Sequence, residues 1–209
     1  MICILGGTFD PVHFGHLRPA LEVQQALDVP AVHLLPCRVP PHRPAPRASA
    51  AQRLELLQLA VADEPALEID VRELQREGPS YMVDTLESIR AEQGETPLCL
   101  VLGADALPGL ERWHRWQDLP ALCHLVVMQR PGARVPQPRA LAERLNSTRV
   151  TDSRVLQERS AGCVIDIPVT QLSVSSTQIR ELLAAGKSPR YLLPDSVLRR
   201  ITQEKWYAD

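Results

Sequence analysis

The amino-acid sequence predicts an α/β fold: a doubly wound, mostly parallel sheet with helices on both faces and a small C-terminal helical portion. Three observations carry that prediction. Short apolar runs alternate along the chain with stretches of helical character, the pattern of repeated βα units. The most convincing strand, residues 98–102, reads Leu-Cys-Leu-Val-Leu without polar alternation, as a strand buried on both faces should. The 209 residues, 44% hydrophobic and 23% charged, suit one domain with a substantial core.

Each element has a local reason. Residues 2–5 form an apolar strand that ends at Gly6-Gly7, and a helix follows over 16–27. Residues 32–35 make a second strand, and the Pro-rich stretch 36–46 can only be a loop. Ser49 caps a helix to about residue 63, with Leu54, Leu57 and Val61 on one face. A short strand over 67–71 precedes a helix opened by Ser80 that carries Val83, Leu86 and Ile89. Strands at 98–102 and 124–128 come next, then a short helix at 140–145. The polar stretch 146–161 reads as partly flexible, and 163–167 is the last strand. Ser175 and Gln178 stand at capping-box spacing before a helix closed by Gly186, and 195–204 is the terminal helix. The chain divides into a Rossmann-like sheet portion, 1–170, and a helical portion, 171–209, of one domain. In such sheets ligands bind beyond the C-terminal strand ends.

Composition narrows the function classes. A net charge of −2 carries no basic excess for a nucleic-acid polymer. No apolar run approaches eighteen residues, and the opening strand is too short for a signal segment, so the expected setting is cytoplasmic with no membrane partner. Five cysteines, odd in number and never spaced Cys-x-x-Cys, read as free thiols. Zinc at His13 and His16 would need further ligands nearby, and none is evident, so no protein-held metal is expected.

Residues 6–16 read Gly-Gly-Thr-Phe-Asp-Pro-Val-His-Phe-Gly-His. Glycines at Gly6 and Gly7 let backbone N–H groups approach an anion. His13 and His16 can both donate to phosphate oxygens, and the following helix directs its positive end at the same spot. The string is neither Gly-x-Gly-x-x-Gly nor a Walker loop. It resembles the first signature of the nucleotidyltransferase superfamily. The helix start Ser175-Ser176-Thr177-Gln178-Ile179-Arg180 could be an ordinary cap with a solvated arginine, but it resembles the second signature, with Val174 in place of isoleucine. That resemblance implies that Ser175, Ser176, Thr177 and Arg180 hold the β- and γ-phosphates of ATP. Gly6, Gly7, Thr8 and Phe9 would then line the ATP cleft.

The middle of the chain is more specific. Residues 40–44, 80–86, 103–107, 113–116 and 130–132, in order and at compatible spacing, resemble the bacterial nicotinate mononucleotide adenylyltransferase family. Arg43 offers a guanidinium to a mononucleotide phosphate. Gly103 and Asp105 follow a buried strand, where a carboxylate suits ribose hydroxyls of either nucleotide. Trp113 offers a face for a pyridine ring, whereas Trp116 is assigned to the core. Ser80, Tyr81 and Thr85 surround a helix N-terminus fit for a carboxylate; otherwise Thr85 faces solvent. Thr8, Phe9 and Arg130 complete the acceptor set.

The resemblance implies transfer of AMP from ATP to nicotinate mononucleotide, with His13, His16 and Arg180 as catalytic residues and Mg²⁺ bound with the ATP phosphates. Superfamily members acting on phosphopantetheine, or a cytidylyltransferase, share both end signatures but tend to be shorter and to lack the middle segments. A nicotinamide mononucleotide acceptor stays open, as does a non-catalytic binding module, which would be expected to lose His13, His16 or Arg180. Homo-oligomerisation and the role of Asp10 are open as well.

Overall fold

A computed structural model describes residues 1–41, 44–129, 139–170 and 172–208. Seven strands form one sheet: β1 (Ile2–Gly7), β2 (Val32–Pro36), β3 (Leu67–Ile69), β4 (Leu98–Gly103), β5 (His124–Gln129), β6 (Arg149–Val150) and β7 (Val164–Pro168). Their order is β3-β2-β1-β4-β5-β7-β6, and every pairing is parallel. The chain winds outward from β1 in one direction and from β4 in the other, so the order reverses between these neighbours. That reversal opens a crevice at their C-terminal ends, which Gly7 and Gly103 close.

The helices are α1 (Phe14–Leu27), α2 (Ala50–Val61), α3 (Arg72–Gln75), α4 (Met82–Gln93), α5 (Leu119–Leu122), α6 (Arg139–Ser147), α7 (Ser176–Ala184) and α8 (Asp195–Glu204). Strand alternation sends side chains into two cores. Cys3, Leu5, Cys99, Val101, Val126 and Ile165 join residues of α1, α2, α7 and α8 on one face. Ile4, Leu98, Leu100, Leu102, Leu125 and Val127 join α4, α5, α6 and a 3₁₀ stretch, Ala104–Arg112, on the other. Continuous apolar strands are therefore necessary, because neither face meets water.

Three expectations are modified. The buried face of α2 is Arg53, Leu56 and Leu57 rather than Leu54, Leu57 and Val61. The helix is rotated because the Arg53 guanidinium has main-chain carbonyls to reach inside. Second, the polar stretch 146–161 includes β6, a 3₁₀ turn at Ser153–Gln157 and anchored residues. Arg90 Nη2 donates to the Ser160 carbonyl at 2.5 Å, Leu98 N–H to the same oxygen at 3.1 Å, and Leu156 is fully buried. Its polar side chains also pair, Arg149 with Asp166 and Arg154 with Asp152. Third, α4 begins at Met82 with Tyr81 at its N-cap, not at Ser80. All five cysteines are free, Cys37 half-buried and the others buried.

Candidate active site

The loop after β1 crosses the C-terminal crevice and enters α1. His13 is 4% exposed, its Nδ1 is buried without a partner, and burial lowers its pKa to about 4. The imidazole is neutral at pH 7 because the buried surroundings disfavour its charge. The His13 and His16 rings stack, centroids 3.7 Å apart, and Phe9 meets His16 edge-on at 5.0 Å. His16 Nδ1 accepts from the His13 main-chain N–H at 3.3 Å, which fixes the direction of its ring. Gly15 is required between them: a Cβ there would lie 2.9 Å from the His13 ring and 3.2 Å from the Val174 carbonyl.

The second signature meets the first across 165 residues. Ser176 Oγ donates to the Pro11 carbonyl at 3.0 Å, and Arg180 Nη1 donates to the Asp10 carbonyl at 2.5 Å. Arg180 Nη2 reaches Thr177 Oγ1 at 3.2 Å. Ser175 Oγ accepts from Gln178 N–H, leaving Ser175 and Thr177 exposed at the positive start of α7. Asp10 itself is 4% exposed and holds the loop: it accepts from Arg47 N–H at 2.9 Å, Ala48 N–H at 3.1 Å and the Tyr207 hydroxyl at 2.7 Å. These contacts tie the loop to the start of α2 and to Tyr207.

The middle residues divide. Asp105 is exposed at the end of β4, its carboxylate occupying the space a Cβ at Gly103 would take. The Tyr81 and His114 rings form a tilted pair with centroids 4.3 Å apart, and Trp113, half-buried, packs on the same core as Tyr81. Trp116 packs against the core with Arg144 over its ring. Two expected side chains are already engaged. Ser80 Oγ accepts from Arg38 N–H at 2.9 Å, which latches the loop after β2 to the entry of α4. Thr85 does not face solvent: it is fully buried and donates to Glu73 at 2.7 Å, while Arg76 donates to it at 3.0 Å. Burial raises the Glu73 carboxyl. Thr85 thus ties α4 to Glu73 and Arg76, and its N–H is spent on the Tyr81 carbonyl at 3.3 Å. Arg43 and Arg130 lie outside the described residues.

Sequence reasoning missed Arg53, Tyr207 and Gly15. Arg53 is 1% exposed and donates to the Thr8 carbonyl at 2.8 Å and to the Arg38 carbonyl at 3.4 Å. Its signal was a charge three residues before Leu56, on a face that must be apolar. Among the described residues no group of three His, Cys, Asp or Glu side chains could hold a metal. A cleft of about 650 Å³ between α7 and α8 involves none of the predicted site residues.

A family described as cytidylyltransferase-like matches residues 4–182. A relative from Methylococcus capsulatus, named "probable nicotinate-nucleotide adenylyltransferase", is 49% identical over 209 residues, covering 100% of both chains. One from Halorhodospira halophila with the same name is 48% identical over 206 residues, 99% of this chain and 94% of that one. The chain belongs to the nicotinate-nucleotide adenylyltransferase family. The fold agrees: Plasmodium falciparum nicotinic acid mononucleotide adenylyltransferase, solved in complex with NaAD, superposes with a TM-score of 0.73 at 15% identity, covering 99% of this chain and 96% of that one. No helix among the described residues is long and apolar enough to cross a membrane.

Proposed function

We propose that this enzyme transfers AMP from ATP to nicotinate mononucleotide, giving nicotinate adenine dinucleotide and pyrophosphate. The observation that carries the reading is the junction of residues 6–16 with the start of α7. It brings two imidazoles, three hydroxyls and Arg180 together at the switch point of the sheet.

An oxygen of the mononucleotide phosphate attacks the α-phosphorus, the bond from that phosphorus to the β-bridging oxygen breaks, and pyrophosphate leaves with the electron pair. The attacking phosphate is already ionised at pH 7, its second pKa being about 6, so no protein base is needed. The enzyme's work is positioning and charge stabilisation. His16, and His13 behind it, donate toward the α-phosphate and the bridging oxygen. An arriving phosphate favours the charged imidazole and opposes the burial that keeps His13 neutral. Ser175, Ser176, Thr177 and Arg180 hold the leaving pyrophosphate, and Gly6, Gly7, Thr8 and Phe9 wall the cleft. Mg²⁺ would come with the ATP, where it would neutralise phosphate charge, and no described group of protein side chains is assigned to it. Asp10 is not among its ligands in this reading, because its oxygens already accept from Arg47 N–H, Ala48 N–H and the Tyr207 hydroxyl and face Arg180.

On the acceptor side, Asp105 takes ribose hydroxyls, Trp113 stacks on the pyridine ring, and the N-terminus of α4 at Tyr81 receives the nicotinate carboxylate; Thr85, buried on Glu73, takes no part. Arg43 and Arg130 are assigned to the acceptor by sequence alone. A neutral carboxamide gains less from a helix N-terminus, so nicotinamide mononucleotide is the poorer acceptor.

Pyrophosphate release is measured with ATP, Mg²⁺ and, in turn, nicotinate mononucleotide, nicotinamide mononucleotide and phosphopantetheine. Release with the first far above the others is expected; a preference for either other acceptor replaces the assignment. In the same assay His16→Ala should lower turnover by roughly two orders of magnitude with the fold intact. Near-normal turnover would remove His16 from the catalytic set.

A further inference from the structure

The C-terminal turn reaches into the loop that carries the histidines. Lys205 ends α8 with φ +55° and Tyr207 follows with φ +64°, two side-chain-bearing residues in the left-handed region. Such conformations each carry a cost and persist where surrounding contacts impose them. The contact here is the Tyr207 hydroxyl, which donates to Asp10 Oδ1 at 2.7 Å from a residue only 8% exposed. Burial and the neighbouring Asp10 charge both push the phenol up, so it stays protonated and remains a donor at any working pH.

The other side of Asp10 faces Arg180. Asp10 Oδ2 lies 3.6 Å from Arg180 Nη1, the nitrogen that also donates to the Asp10 carbonyl. Arg180 is therefore shared between this loop and whatever anion occupies the start of α7. How strongly the loop draws it depends on how fully the Asp10 carboxylate is satisfied by its other donors. Those among the described residues include Arg47 N–H, Ala48 N–H and the Tyr207 hydroxyl, and the hydroxyl makes the shortest of these contacts. Buried charge with a missing donor seeks another, and Arg180 is the cation at hand.

We propose that Tyr207 is a positioning residue for ATP: its hydroxyl satisfies Asp10, and so leaves the Arg180 guanidinium available to the phosphates while the loop keeps its shape. The proposal rests on the reading of residues 6–16 and 175–180 as the ATP site. It makes the last turn of the chain part of that site, although it touches no substrate.

Tyr207→Phe keeps the ring and removes the donor. Calorimetric titration with Mg²⁺-ATP, without acceptor, should show affinity weakened about three- to tenfold, the range expected when one donor to a charged group is lost indirectly. The KM for ATP should rise in parallel while the KM for the mononucleotide stays within about twofold, a split that general loosening would not produce. In an Asp10→Asn background, where no carboxylate competes for Arg180, the same substitution should change ATP affinity little. Titrations at about 10 °C, near the usual stability maximum, keep a weakened variant folded. Unchanged ATP affinity in Tyr207→Phe overturns the proposal, as does an equal loss for both substrates or an undiminished effect beside Asp10→Asn. A wild-type protein that binds ATP yet releases no pyrophosphate with any acceptor removes the transfer reading alone, and the titrations still decide this one. A wild-type protein that binds no ATP overturns both.

Discussion

His13 joins the chemistry of the site to the stability of the fold. In the unfolded chain its imidazole takes a proton near pH 6.5, but in the fold only near pH 4, because burial penalises the charge. Between these values the unfolded state binds the extra proton, so stability falls as pH drops from about 6.5 to 4, and the contribution is fully present above 6.5. The shift corresponds to something on the order of 3 kcal/mol at its acid limit. Buried His124 is lowered in the same direction. Its Nδ1 accepts from Cys163 N–H at 3.0 Å and its Nε2 faces the Arg159 carbonyl at 2.9 Å, so protonation would set two N–H groups against each other. Urea unfolding at pH 7 and pH 4.5 should therefore show a marked loss at the lower value, and His13→Asn should reduce that loss. An unchanged pH dependence in the variant would contradict the buried neutral state. The histidine pair was visible in the sequence as a motif; its stacking and burial were not, since both depend on Gly15 and Val174 meeting from opposite ends of the chain.

At the scale of elements, α2 shows why part of the site was hidden. Helical spacing located α2 between Ser49 and about residue 63, and the Ser49 cap holds, with Gln52 N–H on its Oγ at 3.3 Å. Periodicity averages over residues, however, and it discounted the charge at Arg53 that faces inward. What makes that charge tolerable is the pair of carbonyls at Thr8 and Arg38, neither of which a side-chain pattern records. Arg53→Met tests the balance. The lost bonds, worth roughly 1.5–3 kcal/mol each from a charged donor, are opposed by relief of several kcal/mol of desolvation once the cation is gone. Stability in denaturant should change by no more than about 1–2 kcal/mol, while the KM for ATP rises several-fold as the Thr8 carbonyl loses its anchor. A large stability loss with unchanged KM would mean that Arg53 serves the core and not the loop. Element boundaries, by contrast, were mostly legible: α8 spans the residues its caps and apolar spacing indicate, and β1, β2, β4 and β5 are each extended at their C-terminal ends.

For the whole molecule, the question is whether residues 171–209 are an appendage or part of the core. The sequence separates them by composition, because the sheet strands end before them. The packing joins them. Ile179, Leu193, Val197, Leu198 and Ile201 are each at most 8% exposed and belong to the same core as Leu5, Val32 and Leu57. Five such side chains contribute about 7–15 kcal/mol at roughly 1.5–3 kcal/mol apiece, comparable with the roughly 5–15 kcal/mol that holds a typical domain together. Their removal would also leave Asp10 without Tyr207 and Arg180, and the Pro11 carbonyl without Ser176. A chain ending at residue 170 should accordingly show no cooperative thermal or urea transition by circular dichroism, and no protection by Mg²⁺-ATP. A sharp transition in that fragment would show that the sheet folds alone and that α7 and α8 merely dock. The expected cooperative loss follows from the way residues 6–16 and 175–180 meet: the groups proposed to hold phosphate come from both ends of the chain, so a nucleotide bound there would stabilise the closure of the entire fold.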